Sequence, residues 1–224
     1  MSSKHSTIPL FKEYSEDSQR VPLTIATKQF PKMGCNTLKK VANEINHMNT
    51  VETDPAEAAG LNIKDYTDAS LKFLGTFEFD APPKDIWPMI TEGSNIAKWF
   101  PIIYAGKHAR GTAKTEESCE VGSKRMCKTI GMGTLDETFL YFDPLKVSAY
   151  SLKNPIMPVK DHAAVMHLEE FEPGKTRMTW AHYFNYRGLL QRHFFPFMMT
   201  MFMNMGIKKL ARTVGGKGGR VRAV

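Results

Sequence analysis

Residues 194–205 read FFPFMMTMFMNM, and they hold four Phe and five of the fourteen Met in this chain of 224 residues. Phe and Met are large apolar side chains, and Met adapts its shape to irregular spaces. We predict a helix here, and helical spacing gives it one apolar face that carries Phe195, Met198, Met199, Phe202 and Met205. A helix of this composition suits the wall of a cavity that binds an oily molecule.

The sequence before this helix predicts one strand, two short helices and then a run of strands. Alternating apolar residues predict the first strand over 71–79, and helical spacing predicts short helices over 84–91 and 94–100. Pro88 favours a first helix that begins close to it, and Ser94 is a candidate N-cap for the second. The strands that follow are predicted at 102–109, 123–130, 135–142, 146–152, 163–171 and 176–185.

The short gaps between these strands determine how they pair. A parallel crossover needs about a dozen residues, so neighbouring strands are expected to be antiparallel. The predicted fold class is therefore α+β, with a curved antiparallel sheet wrapped around a long C-terminal helix and two short helices after the first strand. We expect an N-terminal extension over 1–70 with one or two helices, a domain over 71–214, and a flexible basic tail over 215–224.

Residues 173–174, Pro-Gly, predict a tight turn between the last two strands. If Glu172 pairs with Lys175 across this turn, then Glu170 lies opposite Arg177, and the opposite charges mark their shared face as exposed to solvent. Register matters here, because a slip of one residue would exchange the two faces of the strand.

In this register the other face of the hairpin points inward. It carries Trp180 and Phe184, which we predict to contact a ligand. It also carries His167, His182 and Glu169, which are candidates for proton transfer because His titrates near neutral pH. The alternative is that both His residues are structural and that Glu169 reaches solvent at the sheet rim.

Aromatic residues outside the hairpin are further candidates for ligand contact. Trp99 precedes Phe100-Pro101, and we expect it either to pack in the core or to close the mouth of a cavity. Phe139 and Tyr141 share a strand face with Glu137, and Tyr141 could donate a hydrogen bond to a substrate. We expect Glu137 at a rim, since a buried carboxylate needs a partner, and Arg125 is a candidate for that partner across the strands.

Charge and cysteine content give weaker information. The net charge is +7, and residues 206–224 contribute +6 of it without an acidic residue. We expect this basic end to be flexible and solvated, with weak contact to an anionic membrane surface as the alternative and no specific nucleic-acid partner. Three cysteines (Cys35, Cys119, Cys127) without metal-binding spacing predict no metal site and a reducing compartment, the cytoplasm.

The Met-rich helix also has apolar residues on its other faces, and these require cover. The candidates are a helix predicted over 38–48, a partner chain or a membrane surface.

Over residues 71–214 the chain resembles the START/Bet v 1-like (SRPBCC) superfamily, in its polyketide cyclase/dehydrase and lipid-transport branch. The resemblance rests on the order and spacing of several short motifs. They are FEF at 77–79, APPKDIW at 81–87, IAKWF at 96–100, Val121–Gly122, Glu137 before Asp143–Pro144, GKTRMTW at 174–180 and the terminal helix.

The resemblance implies a helix-grip fold with an elongated hydrophobic cavity, and relatives bind lipids, sterols, quinones, polyketides or plant hormones. No catalytic signature is shared across the superfamily, and no cofactor is implied. Three hypotheses follow: a carrier or sensor for a hydrophobic small molecule, a polyketide cyclase or dehydratase that uses cavity His residues, and a protein that docks on a membrane or partner.

Overall fold

A computed structural model describes residues 54–114 and 120–224. The helix predicted over 38–48 lies outside these residues, as do Cys35 and Cys119. The segment before the sheet contains helix α1 (Pro55–Ala58), which Asp54 caps through its side chain, and a 3₁₀ turn (Ile63–Asp65).

The remaining elements occur in the predicted order, and one further strand follows the long helix. They are β1 (Leu71–Phe79), α2 (Pro83–Thr91), α3 (Gly93–Trp99), β2 (Ile103–Ala109), β3 (Lys124–Thr129), β4 (Gly133–Asp143), β5 (Val147–Lys153), β6 (Val159–Glu172), β7 (Lys175–Tyr186), α4 (Leu189–Val214) and β8 (Gly218–Ala223). The strands form one antiparallel sheet in the order β2-β3-β4-β5-β6-β7-β1-β8. The predicted α+β, helix-grip architecture is confirmed.

The sheet is covered on both faces. The inner face, defined as the one against α4, packs Phe73 and Phe77 of β1 with Met203 and Ile207 of the helix. The outer face carries a smaller apolar cluster that includes residues of the 54–69 segment, and there the Tyr183 hydroxyl donates a hydrogen bond to Asp54. Both faces are therefore apolar in the middle of β6 and β7, which explains why residues 162–168 and 178–186 contain no Asp, Glu, Lys or Arg.

The two short helices differ from the prediction at their N-termini. Helix α2 begins at Pro83, five residues before Pro88, and Ser94 lies inside α3 without capping it. Pro88 removes only one amide hydrogen, and burial of the α2 side chains keeps the helix intact around it. Helix α3 then approaches β2 so closely that a Cβ on Gly106 would lie 2.0 Å from the Gly93 oxygen.

The chain end is a strand, which corrects the prediction of a flexible tail over 215–224. β8 pairs antiparallel with β1, and Val221 lies opposite Gly75 and is buried against α4. The glycines at 215, 216 and 218, all with positive φ, turn the chain from the helix into the strand. The Gly-rich composition reflects this tight reversal and the close contact of β8 with β1.

The β6–β7 hairpin has a different register from the one predicted. Glu172 pairs with Lys175 as expected, but Glu170 lies opposite Thr176, and Glu169 lies opposite Arg177. Phe171 is the extra residue of a β-bulge, and the guanidinium of Arg177 packs 4.7 Å from the centre of its ring. The bulge exchanges the faces of β6, so the prediction that His167 and Glu169 point inward is wrong.

Candidate ligand cavity

A small cavity lies between the inner face of the sheet, helix α3 and the first half of α4. Its volume is about 50 Å³, which is room for a few water molecules. The wall is mostly apolar. It includes Ile96, Trp99, Phe100, Ile103, Met132, Leu135, Leu152, Met157, Met166, Trp180, Phe195, Met198, Met199 and Phe202, with Arg125, Glu137, Tyr150, His162 and His182 as polar members.

Six of the ten residues predicted to contact a ligand are on this wall. They are Trp99, Trp180, Phe195, Met198, Met199 and Phe202. Phe139 and Phe184 are buried in the surrounding core, where Phe184 stacks on the His162 ring. Tyr141 belongs to the outer cluster, and Met205 is exposed on α4, so neither reaches the cavity.

The three predicted proton-transfer residues are separated by the sheet. His182 lies on the cavity wall, whereas Glu169 is exposed and lies 3.8 Å from the Arg177 guanidinium. His167 is half-buried, alternates with the inward-facing residues of β6, and has a pKa lowered by burial. This set of three therefore cannot act on one bound molecule.

His162 is the cavity residue that the predicted register missed. Its Nε2 atom lies 3.1 Å from Nδ1 of His182, and both rings are buried. The even-numbered residues that follow it, Ala164, Met166 and Leu168, are all apolar and buried. The odd-numbered residues of the same stretch include the polar His167 and the charged Glu169. Over residues 164–169, this difference in polarity between the two faces was the available signal for the inward face of β6.

Burial keeps both rings of this histidine pair uncharged. Desolvation lowers the pKa of His162 to about 4. Desolvation also lowers the pKa of His182, and the neighbouring His162 ring lowers it further. Near neutral pH the pair therefore acts as two neutral imidazoles that share one hydrogen bond.

Arg125 and Glu137 form a buried ion pair at another side of the cavity. Arg125 Nε lies 2.5 Å from the Glu137 carboxylate, and Arg125 Nη1 donates to the carbonyl oxygens of Ile90 and Thr91 at the end of α2. Burial would lower the pKa of Arg125, but the Glu137 charge offsets this and raises it. The pairing prediction is confirmed, whereas the expected rim position of Glu137 is wrong.

The remaining polar groups give no sign of a nucleophile or a metal site. Burial, and then the Glu137 charge, raise the pKa of Cys127 to about 12, so its thiol stays protonated. Within residues 54–114 and 120–224, no group of three or more His, Cys, Asp or Glu side chains is placed to hold a metal ion. In the same part of the chain, no helix is long and apolar enough to span a bilayer.

The segment of the chain that forms the cavity matches a known protein family. The family model for polyketide cyclase/dehydrase and lipid transport matches residues 70–215, which include strands β1 to β7, helix α4 and all of the cavity wall, whereas β8 lies beyond the match. The chain belongs to this family. A comparison with curated proteins gives no match.

Solved structures share the fold at low sequence identity. The protein XoxI from Bacillus cereus is 18% identical and has a TM-score of 0.51, with 63% of this chain and 93% of XoxI covered. A protein from Thermobifida fusca is 21% identical with a TM-score of 0.52, covering 64% and 93% of the two chains. A conserved protein from Geobacillus kaustophilus is 12% identical with a TM-score of 0.51, covering 68% and 99%. These likenesses establish the fold alone.

Proposed function

We propose that the protein binds a hydrophobic small molecule in this cavity, as a carrier or sensor. The observation that carries the proposal is a cavity wall of Trp, Phe, Met and Ile side chains between the sheet and the long helix α4. Apolar walls with a few polar groups are the usual form of a small-molecule site. A lipid, a quinone or a polyketide-like molecule has the required chemistry.

Binding requires the cavity to enlarge, because ligand pockets of drug-sized molecules measure about 300–1,000 Å³. The flexible side chains of the wall would allow such a change. Five of its side chains are methionines (Met132, Met157, Met166, Met198 and Met199), and each has three rotatable bonds beyond the backbone. We propose that these methionines fill the space when no ligand is bound and move aside when one enters.

The methionine methyl groups provide the test. Protein labelled with ¹³C at the Met methyl groups is titrated with fatty alcohols, quinones and aromatic polyketides, and the spectra are recorded by NMR. A ligand should shift the five wall methyls and leave the exposed Met201 and Met205 unchanged. A ligand at 100 times its Kd should also stabilise the fold by about 2.7 kcal/mol. If no compound moves the wall methyls or the melting temperature, the proposal is wrong.

An enzyme that acts by proton transfer is the alternative within the same cavity. With His167 and Glu169 separated from His182, the histidine pair replaces the predicted set as the candidate for moving a proton. Burial lowers the pKa of the His162 ring to about 4, which makes it a weak base at neutral pH, and we therefore favour binding over catalysis.

A second proposal concerns the outer side of α4, which favours contact with an anionic membrane surface. An exposed apolar stripe runs along the helix at spacings of three and four residues, through Leu190, Phe194, Phe197, Met201 and Met205. Phe194 and Phe197 are 66% and 70% exposed. Exposed apolar residues in a contiguous row mark an interaction surface.

The surroundings of the stripe favour lipid as its occupant. From residue 187 to residue 224 the chain has eight Lys or Arg residues and no Asp or Glu, so this end attracts anionic headgroups. Two exposed isoleucines, Ile130 and Ile156, lie in loops close to the start of α4. Asn154 connects these loops by donating to the Met132 oxygen, and Arg187 donates to the Pro155 oxygen.

Co-sedimentation with vesicles tests this surface. The protein should bind vesicles of phosphatidylcholine with phosphatidylserine, bind pure phosphatidylcholine less, and dissociate at high salt. Phe194→Ser combined with Phe197→Ser should abolish binding, while Tyr104→Ser, an exposed aromatic on β2, should not. Equal binding by the double variant would contradict the proposal, as would a dimer in solution that the same double substitution dissociates.

A further inference from the structure

The cavity has one polar region in which hydrogen-bonding atoms lack partners. Among the described residues, His162 Nδ1 and His182 Nε2 are buried and make no hydrogen bond. The Trp180 Nε1 atom differs from these two, because the Tyr150 side chain lies beside it as a possible partner. Buried polar atoms normally have a partner, so the two His nitrogens on one cavity wall indicate a group that the cavity receives.

The contact between the two rings couples their tautomers. If His162 Nε2 carries the hydrogen and donates to His182, then His182 carries its own hydrogen on Nε2. If His182 Nδ1 donates instead, then His162 carries its hydrogen on Nδ1. In both cases the two neutral rings have the same tautomer, and the pair offers one free donor and one free acceptor. A joint change of tautomer exchanges these roles.

The electrostatic balance of the wall selects against a charged ligand group. The charge of Arg125 is compensated by Glu137 at 2.5 Å, so the guanidinium is not available to a ligand carboxylate. The two imidazoles are neutral, and the rest of the wall consists of apolar side chains and the uncharged Tyr150. A carboxylate or phosphate would lose its hydration here without gaining a counter-charge.

We propose that the molecule bound in this cavity carries an uncharged oxygen, in a hydroxyl or carbonyl group, and that the histidine pair binds this oxygen. A hydroxyl donates to the free acceptor nitrogen or accepts from the free N–H, and a carbonyl accepts from the N–H after the pair has adopted the matching tautomer. The inference rests on the ligand binding proposed above and specifies the class of that ligand.

Four compounds with one ring system test the inference. They are naphthalene, 2-naphthol, 2-acetylnaphthalene and 2-naphthoate, and their Kd values are obtained from the shifts of the Met methyl groups at pH 7.5. One neutral hydrogen bond corresponds to about a fivefold change in Kd, so the alcohol and the ketone should bind at least about fivefold more tightly than naphthalene. The carboxylate should bind no more tightly than naphthalene.

Variants assign the effect to the two rings. In His162→Leu combined with His182→Leu, the alcohol and the ketone should lose their advantage, while naphthalene retains its affinity. His167→Leu, on the outer face of the same strand, is the matched control and should change none of the four values. If the double variant does not fold, ¹⁵N NMR of the wild-type histidines replaces it, and both rings should report one common tautomer.

The outcomes separate this inference from the proposed function. If no compound moves the wall methyls, ligand binding fails and this inference fails with it. If all four bind with equal affinity, or the carboxylate binds most tightly, the protein still binds hydrophobic molecules and only the proposed ligand class is wrong. Different tautomers in the two rings would overturn the assignment of the pair as the binding group.

Discussion

Arg125 is a charged side chain among the largest fully buried residues, and its environment makes a clear prediction about stability. Replacing it with Met leaves the Glu137 carboxylate buried without a counter-charge and leaves the Ile90 and Thr91 carbonyls without their donor. We expect Arg125→Met to lower the free energy of unfolding by about 3–5 kcal/mol, measured by urea denaturation.

The adjacent pair on the same two strands provides the control. Lys124 lies 2.9 Å from Asp136 and both side chains are about one-third exposed, so Lys124→Met should cost no more than about 1 kcal/mol. Combining Arg125→Met with Glu137→Leu should recover part of the loss, because no unpaired charge remains. An equal cost for Lys124→Met and Arg125→Met would show that the buried pair has no special role.

The histidine pair predicts that stability depends on pH. The pKa of His162 is about 4 in the folded protein and near 6.5 in the unfolded chain. Between these values the unfolded state binds protons that the folded state does not, so stability falls as pH falls from about 6.5 towards 4. His162 alone should account for a loss of about 3 kcal/mol, and denaturation curves at several pH values would measure it.

The double substitution His162→Leu and His182→Leu is the control for this dependence. It should flatten the pH profile above pH 4, with a remaining slope from His108 and His167, whose pKa values burial also lowers. His167→Leu alone should reduce the slope only slightly. An unchanged profile in the double variant would mean that the pair does not titrate as described.

At the scale of elements, the limits of prediction are visible in the β6–β7 hairpin. The positions of both strands and the Glu172–Lys175 pair could be predicted from alternation and turn residues. The face could not, because the bulge at Phe171 shifts the register by one residue, and neither the alternation nor the turn residues indicate it. This single shift moves His167 out of the cavity wall and places His162 there.

The strand β8 was missed for a different reason, and it makes a prediction of its own. Its sequence alternates Arg with Val or Ala next to Gly, which is typical of a flexible end, and only the exposed edge of β1 gives it a partner. Val221 is buried between β1 and α4, so Val221→Ala should lower the free energy of unfolding by about 1.5–3 kcal/mol.

The neighbouring Arg220 supplies the comparison for β8. Its side chain is exposed, so Arg220→Ala should change the stability by less than about 0.5 kcal/mol while weakening contact with anionic vesicles. Thermal and urea denaturation of the two variants would measure the difference. If Val221→Ala is as mild as Arg220→Ala, then β8 is not part of the cooperative fold.

For the whole molecule, the predictable features are those set by local pattern, and the others depend on contacts between distant segments. The order of elements and the Met-rich wall follow from periodicity and composition. Two other features could not be predicted in this way, because they link residues far apart in sequence. They are the packing of the 54–69 segment on the outer face of the sheet and the hydrogen bond from Arg125 to the end of α2. The site is the most affected, since five different strands, β3 to β7, supply its polar side chains.

The extent to which wall side chains fill the cavity should affect both the stability of the protein and its affinity for a ligand. A substitution of Met199 tests this link. Met199→Ala removes part of the wall from a partly buried position on α4, so the free energy of unfolding should fall by about 1–3 kcal/mol. The same change enlarges an apolar space, and such spaces bind small apolar molecules. Naphthalene should therefore bind the variant more tightly than the wild type, as measured by titration of the remaining Met methyl groups.

Met201, two residues further along the same helix, separates this effect from a general loss of methionine. Its side chain belongs to the exposed stripe, so Met201→Ala should leave both the stability and the affinity for naphthalene unchanged. A destabilised Met199→Ala protein with no gain in affinity would mean that the wall collapses into the vacated space. In that case the methionines would act as a fixed part of the core, and the cavity would not open by their displacement.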